Sequence, residues 1–147
     1  MDESVFEYVS YISSSQEKVW NALLDPKLTA VYWQHENVSD WKPGSRWEHR
    51  SSEERDTVDL VGRVIECTPP SRLVLSWAFP ADESHQEKHS RVTIKVDPFR
   101  EVVRLIVTHD RLKPGTLMLA GITEGWPMVL SSLKTLLEVG KPLAKLW

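Results

Sequence analysis

The sequence predicts an α+β fold in which a curved antiparallel sheet wraps one long C-terminal helix. Three observations predict it. Between Ile122 and Leu137 the apolar residues fall at Ile122, Trp126, Val129, Leu130, Leu133, Leu136 and Leu137. At about 100° per residue this spacing gathers them into an arc of roughly 120°, with Ser131, Lys134, Thr135 and Glu138 on the far side. The preceding hundred or so residues read mostly as β-strands separated by turn residues, which supplies the surface such a one-sided helix needs. The chain of 147 residues is long enough to bury one sizeable core and is expected to be a single domain over 1–147.

Val5 to Ile12 reads as the first strand, rich in β-branched and aromatic residues. Alternation allows either Phe6, Tyr8 and Ile12 or Val5, Val9 and Tyr11 to face inward, and the Ile12 set is preferred. Ser14-Ser15-Gln16-Glu17 has the spacing of a capping box, so a short helix is expected to follow, with Val19, Trp20 and Leu23 on its apolar face and Asp25-Pro26 closing it. Leu28 to Trp33 forms a second short helix carrying Leu28, Val31 and Tyr32. Trp41-Lys42-Pro43-Gly44 then turns into a strand over Ser45 to Arg50.

The charged run Ser51 to Asp56 is a solvated tip, followed by a strand from Val58 to Cys67 with Gly62 marking a bulge or bend. Pro69-Pro70-Ser71 leads into Arg72 to Phe79, where Leu73, Leu75, Trp77 and Phe79 share a face. A polar connection from Pro80 to Lys88 precedes the strand Arg91 to Val96. Asp97-Pro98-Phe99-Arg100 is a hairpin turn, and beyond it Val103, Leu105, Val107 and His109 share the apolar side of a strand. Because a proline deep inside a helix costs ~3 kcal/mol, Pro127 places the start of the regular helix at Thr123; Gly140 and Pro142 end it.

A net charge of −3 with no basic cluster argues against a nucleic-acid partner, and no apolar run is long enough to span a membrane. The N-terminus lacks the basic start and apolar run of a signal peptide, and the single cysteine, Cys67, allows no internal disulfide, so a soluble cytoplasmic protein is expected. Phosphate loops, a Gly-x-Ser-x-Gly elbow and forced carboxylate pairs are missing from the sequence. The His85 and His89 pair lies in an expected hairpin rather than a helix and is read as a polar tip, and Cys67 has no basic neighbour but Arg72. Hence no catalytic residue, metal or cofactor is assigned. Seven tryptophans suit either a large aromatic core or an aromatic-lined pocket.

Laid out in order, several pieces carry a resemblance: Val19-Trp20 with Leu23 and Asp25-Pro26, Trp33, Pro43-Gly44, Gly62-Arg63-Val64-Ile65-Glu66 and Pro69-Pro70-Ser71-Arg72-Leu73. They continue through Ser76-Trp77, Val92-Thr93, Thr108-His109, Gly125-Trp126 and the leucine pattern ending at Gly140. The chain resembles the activator of Hsp90 ATPase homologue-like family within the START-like (Bet v 1, polyketide cyclase) superfamily. The fold this resemblance implies is the helix grip, a seven-stranded antiparallel sheet around the C-terminal helix with two small helices after the first strand.

Members of that superfamily bind apolar or aromatic molecules between sheet and helix, which implies Trp33, Trp47, Trp77, Phe79, His109, Met118 and Trp126 as ligand-binding walls. Each also fits a plain core role. His109 is the polar candidate, able to hydrogen-bond a ligand or act as acid or base. The favoured reading is a non-catalytic receptor for an apolar or aromatic small molecule. The alternatives are a chaperone-associated module, as the family name implies, and a cyclase, dehydratase or hydrolase using a group such as His109.

Overall fold

The computed structural model describes residues 3–54 and 56–144. Strand β1 (Ser4–Ile12) leads into α1 (Gln16–Leu24) and α2 (Pro26–Trp33), followed by β2 (His35–Val38), β3 (Arg46–Ser51), β4 (Val58–Thr68) and β5 (Arg72–Trp77). Two single turns of 3-10 helix, Pro80–Asp82 and Gln86–Lys88, precede β6 (Ser90–Phe99), β7 (Val102–Leu112) and α3 (Leu117–Val139). The strands form a seven-stranded antiparallel sheet in the order β1-β7-β6-β5-β4-β3-β2. This is the expected helix grip: one face of the sheet and the apolar side of α3 share a core that includes Ile12, Leu75, Val92, Leu105, Ile122, Leu130 and Leu133.

On β1 the Ile12 set faces inward, while Val5, Val9 and Tyr11 are exposed. The expected capping box does not form. Ser15 is the N-cap, its Oγ accepting from the Lys18 N–H at 3.2 Å, so Glu17 falls one position short of where a box needs its carboxylate. Asp25 then ends α1 and caps α2, accepting from the Lys27 N–H at 2.9 Å with Pro26 at the first helical position. In α2 the buried residues are Thr29, Tyr32 and Trp33, and Val31 is exposed.

Tyr32 is fully buried and its hydroxyl donates to the Ala22 carbonyl at 2.8 Å, satisfying one of the carbonyls left open at the end of α1. Burial pushes its ionisation far upward, so it acts only as a neutral donor. Tyr32→Phe is expected to lower stability by about 1–2 kcal/mol, read as a shift of the urea midpoint at unchanged slope.

Four further elements depart from the sequence expectations. The strand β2 carries His-Glu-Asn-Val, in which the buried residue is Asn37, so no apolar alternation announces it. The hairpin turn lies at Arg100-Glu101, because Asp97, Pro98 and Phe99 still pair with Arg104, Val103 and Val102.

The ladder irregularities lie on either side of Gly62, where Asp59 and Ile65 are the extra residues. Gly62 itself pairs with Trp47, whose indole N–H crosses to the Ser76 carbonyl at 2.9 Å and leaves no room for a side chain.

The fourth departure is the start of α3. It begins at Leu117, with Thr116 as N-cap, and Pro127 lies inside it. The missing proline N–H forfeits the helical bond to the Thr123 carbonyl at a cost of ~3 kcal/mol. Burying Ile122 and Trp126 ahead of it offsets that cost, at roughly 1.5–3 kcal/mol for a large apolar side chain. At its other end α3 is tied to the first strand: Lys134 Nζ donates to the Tyr11 carbonyl, and Glu138 Oε2 accepts from the Ser13 N–H at 2.6 Å. Among the described residues no helix is long and apolar enough to cross a membrane.

Candidate functional site

Four tryptophans from four elements meet under α3. Trp77, at the end of β5, is the hub: its ring centroid lies 4.9 Å from that of Trp47, 5.5 Å from Trp126 and 6.5 Å from Trp33. Trp33 and Trp126 are 5.5 Å apart. The strand register explains the gathering, since Trp47 sits opposite Gly62, Trp77 opposite Ser90, and Val92 opposite His109.

His109 is fully buried in this cluster and hydrogen-bonded at both ring nitrogens. The Trp126 indole N–H donates to Nδ1 at 3.1 Å, so Nδ1 carries the lone pair and Nε2 the proton. Nε2 donates to Ser90 Oγ at 2.8 Å, and that hydroxyl donates to the Trp77 carbonyl at 3.1 Å. Burial pushes the pKa of His109 down to about 4, against the opposing effect of the Asp110 carboxylate. The ring is therefore neutral near pH 7, and both nitrogens are engaged within the fold.

Open space begins where this cluster ends. A groove of about 300 Å³ lies between the first turns of α3 and the strands, walled by Leu60, Trp77, Phe79, Met118 and Ile122, with His35, His49 and Asp59 at its polar end. It continues at Leu60, Trp77 and Ile122 into a smaller recess of about 90 Å³ beside Trp33, Gly125 and Trp126. Around Phe79, Leu117 and Met118 it adjoins a rim cavity of about 360 Å³ that carries Asp82, Lys88, Arg111 and Lys113. The Pro80–Asp82 turn that borders the rim is held by Glu83, whose carboxylate accepts from Arg46 Nε at 2.6 Å. That contact lowers the pKa of Glu83.

Of the residues singled out from the sequence, Trp33, Trp77 and Trp126 border these spaces from within, and Phe79 and Met118 stand where groove and rim adjoin. Trp47 packs behind Trp77, and His109 lies deeper in the cluster. His89 is buried between Ser76 Oγ at 3.2 Å and the Glu83 carbonyl at 2.9 Å, while His85 is exposed. Cys67 is partly buried, which pushes its thiol pKa upward, away from nucleophilic character.

Sequence reasoning missed His35, His49 and Asp59. His49 had a signal, since it stands two residues after Trp47 on the same strand and so shares its inward face. His49 is 3% exposed, its Nδ1 lies 2.6 Å from Asn37 Oδ1, and its ring stacks on His35 with centroids 4.1 Å apart. Burial first, and the neighbouring His35 second, hold its pKa well below the ordinary imidazole value. His35 is fixed by the Trp33 carbonyl at 3.1 Å from Nδ1 and by Asp59 Oδ2 at 2.7 Å from Nε2.

A curved antiparallel sheet closed on a long terminal helix, with a groove between them, makes this a helix-grip protein. The chain belongs to the activator of Hsp90 ATPase homolog 1-like family, whose sequence profile matches residues 13–138. Its fold is similar to that of the Aha1 dimer from Colwellia psychrerythraea, at 19% identity and a TM-score of 0.76, over 94% of this chain and 98% of that one. Protein MLL2253 from Mesorhizobium loti aligns at 23% identity and a TM-score of 0.76, over 92% of this chain and 97% of the other. CalU16 from Micromonospora echinospora aligns at 20% identity and a TM-score of 0.69, over 94% of this chain and 77% of the other. At these identities the likeness is one of fold. None of the curated proteins compared matches in sequence.

Proposed function

We propose that the chain binds an apolar or aromatic small molecule in the groove between the sheet and the first half of α3, and performs no chemistry on it. The observation that carries this reading is a pair of glycines on α3. Gly121 borders the groove and Gly125 the recess, and a Cβ built on either meets nothing within 4 Å. A helical glycine costs about 1 kcal/mol relative to alanine, and neither position has a close contact that demands one. Their effect is to keep the wall of the helix open. The groove's volume of about 300 Å³ is at the small end of the range for small-molecule sites, roughly 300–1,000 Å³. The engagement of both His109 nitrogens favours binding over acid-base chemistry at that residue.

The test is titration with a panel of bicyclic aromatics, flavonoids and lipids, read by tryptophan fluorescence and thermal shift. Trp33, Trp77 and Trp126 border the spaces, so a bound guest is expected to change emission saturably and raise Tm. Gly121→Phe, which fills the groove from the helix side, is expected to abolish the response without lowering stability. No response from any panel member, or an unaltered response in Gly121→Phe, overturns the reading.

A second reading rests on the outer face of edge strand β1, where Val5, Val9 and Tyr11 are exposed at 65%, 41% and 45%. Such a patch suits a protein partner, and the family description makes a chaperone the first to try. Pull-down with Hsp90 and an ATPase assay, repeated with Val9→Glu, test it.

A further inference from the structure

The polar end of the groove contains an acceptor that the fold leaves open. Asn37 Oδ1 can only accept, so the short contact with His49 Nδ1 places the imidazole proton on Nδ1 and the lone pair on Nε2. Nε2 makes no hydrogen bond to the described residues, although His49 is 3% exposed and borders the groove. Asn37 is held in turn, since its own N–H donates to Thr29 Oγ1 at 3.1 Å and β2 pairs it opposite His49. The stacked ring of His35 is committed to the Trp33 carbonyl and to Asp59, which leaves it no free nitrogen for a guest. Nearby, the Trp77 indole N–H is buried with no acceptor among the described residues. The wall thus holds an unused acceptor on the His49 ring, whose centroid lies 6.4 Å from that of Trp77.

We propose that His49 sets the specificity of the groove, and that the guest is a neutral aromatic molecule carrying a hydroxyl, phenol-like in character, whose O–H donates to His49 Nε2. This inference rests on the reading of the groove as a binding site and adds the chemical class of its occupant. The apolar walls, Leu60, Phe79, Met118 and Ile122, offer a hydroxyl no hydrogen bond from their side chains, so the guest's polar group is directed to the end that holds His49 and Asp59 and its ring to the α3 side. A carboxylate has no proton to donate to His49 Nε2 and so forgoes this bond. Asn37 acts as a positioning residue that fixes the tautomer.

The test compares four probes of one ring system: naphthalene, naphthol, methoxynaphthalene and naphthoate. The wild-type chain is expected to bind naphthol about five- to tenfold more tightly than naphthalene, methoxynaphthalene or naphthoate, the gain of one buried hydrogen bond. His49→Leu is expected to equalise the affinities for naphthol and naphthalene, and Asn37→Leu to narrow the ratio in the same direction. In the wild-type chain the Nε2 nitrogen resonance of His49 is expected to move with naphthol and to stay in place with methoxynaphthalene, a readout that needs no variant to fold. Equal wild-type affinities for naphthol and naphthalene, or a preference that survives His49→Leu, overturn the assignment of His49 and leave the groove a plain apolar site. If naphthalene itself fails to bind, the reading of the groove falls and this inference with it.

Discussion

Gly62→Ala is expected to lower the stability of the fold by about 3 kcal/mol or more, or to prevent folding altogether. A Cβ on Gly62 would lie 1.9 Å from the Ser76 carbonyl oxygen and 2.5 Å from Trp47 Nε1. Neither neighbour can give way cheaply. The carbonyl is backbone of β5, and the indole nitrogen is held to that same oxygen at 2.9 Å. Relief requires strands β4 and β5 to part locally, which breaks the Trp47 bond and shifts Trp77 at the hub of the cluster. Urea denaturation measures the loss. Gly121→Ala is the matched control, because its Cβ meets open space; it is expected to leave stability unchanged or raise it by up to about 1 kcal/mol. A Gly62→Ala protein as stable as the parent would show that β4 and β5 separate at this point without cost.

Acidification from pH 6.5 towards 4 is expected to remove about 3 kcal/mol through His109 alone, with a further loss of the same sign through His49. In the unfolded chain both rings take up a proton as the pH falls below about 6.5. In the folded chain they stay neutral, His109 down to about 4, because burial disfavours the charge. The unfolded state therefore binds more protons throughout this window, so stability is fully present above 6.5 and declines as the pH falls. Each ring contributes a slope of up to about 1.4 kcal/mol per pH unit. The carboxylates held below their ordinary range by arginine partners, Glu48, Glu83 and Asp110, add losses only at lower pH, so the interval from 6.5 to 5 isolates the histidines. Urea midpoints measured across that interval check the slope, and His109→Gln should reduce it, leaving the share that belongs to His49. A midpoint constant from pH 7 to 5 would mean that water reaches these rings in the folded state.

The apolar stripe of α3, the inward faces of β1, β5, β6 and β7, and the tryptophans that gather beneath the helix were all legible in the chain, because each depends on periodicity or on the cost of leaving an indole in water. What escaped depends on contacts distant in sequence. The start of α3 was misplaced because Pro127 reads as a first-turn residue until burial of Ile122 and Trp126 is weighed against it. Strand β2 was invisible since its inward residue is an asparagine, whose role appears only when His49 is placed opposite it. Gly62 was recognised as a special position, yet the reason is an indole fifteen residues upstream rather than a bend in its own strand. The candidate site divides in the same way. Part of its apolar wall, Trp33, Trp77, Phe79, Met118 and Trp126, was implied by the family resemblance, whereas its polar end is assembled from β2, β3 and β4 and needed the sheet register.

The tryptophan cluster has an optical consequence. Trp33, Trp47, Trp77 and Trp126 are linked by centroid separations of 4.9 to 6.5 Å, close enough for their excited states to mix. The near-ultraviolet circular dichroism of the native protein should thus be a property of the group, collapsing as soon as the rings lose their fixed mutual orientation, even where the backbone remains ordered. During acid titration that signal distinguishes a loosened interior from an unravelled chain.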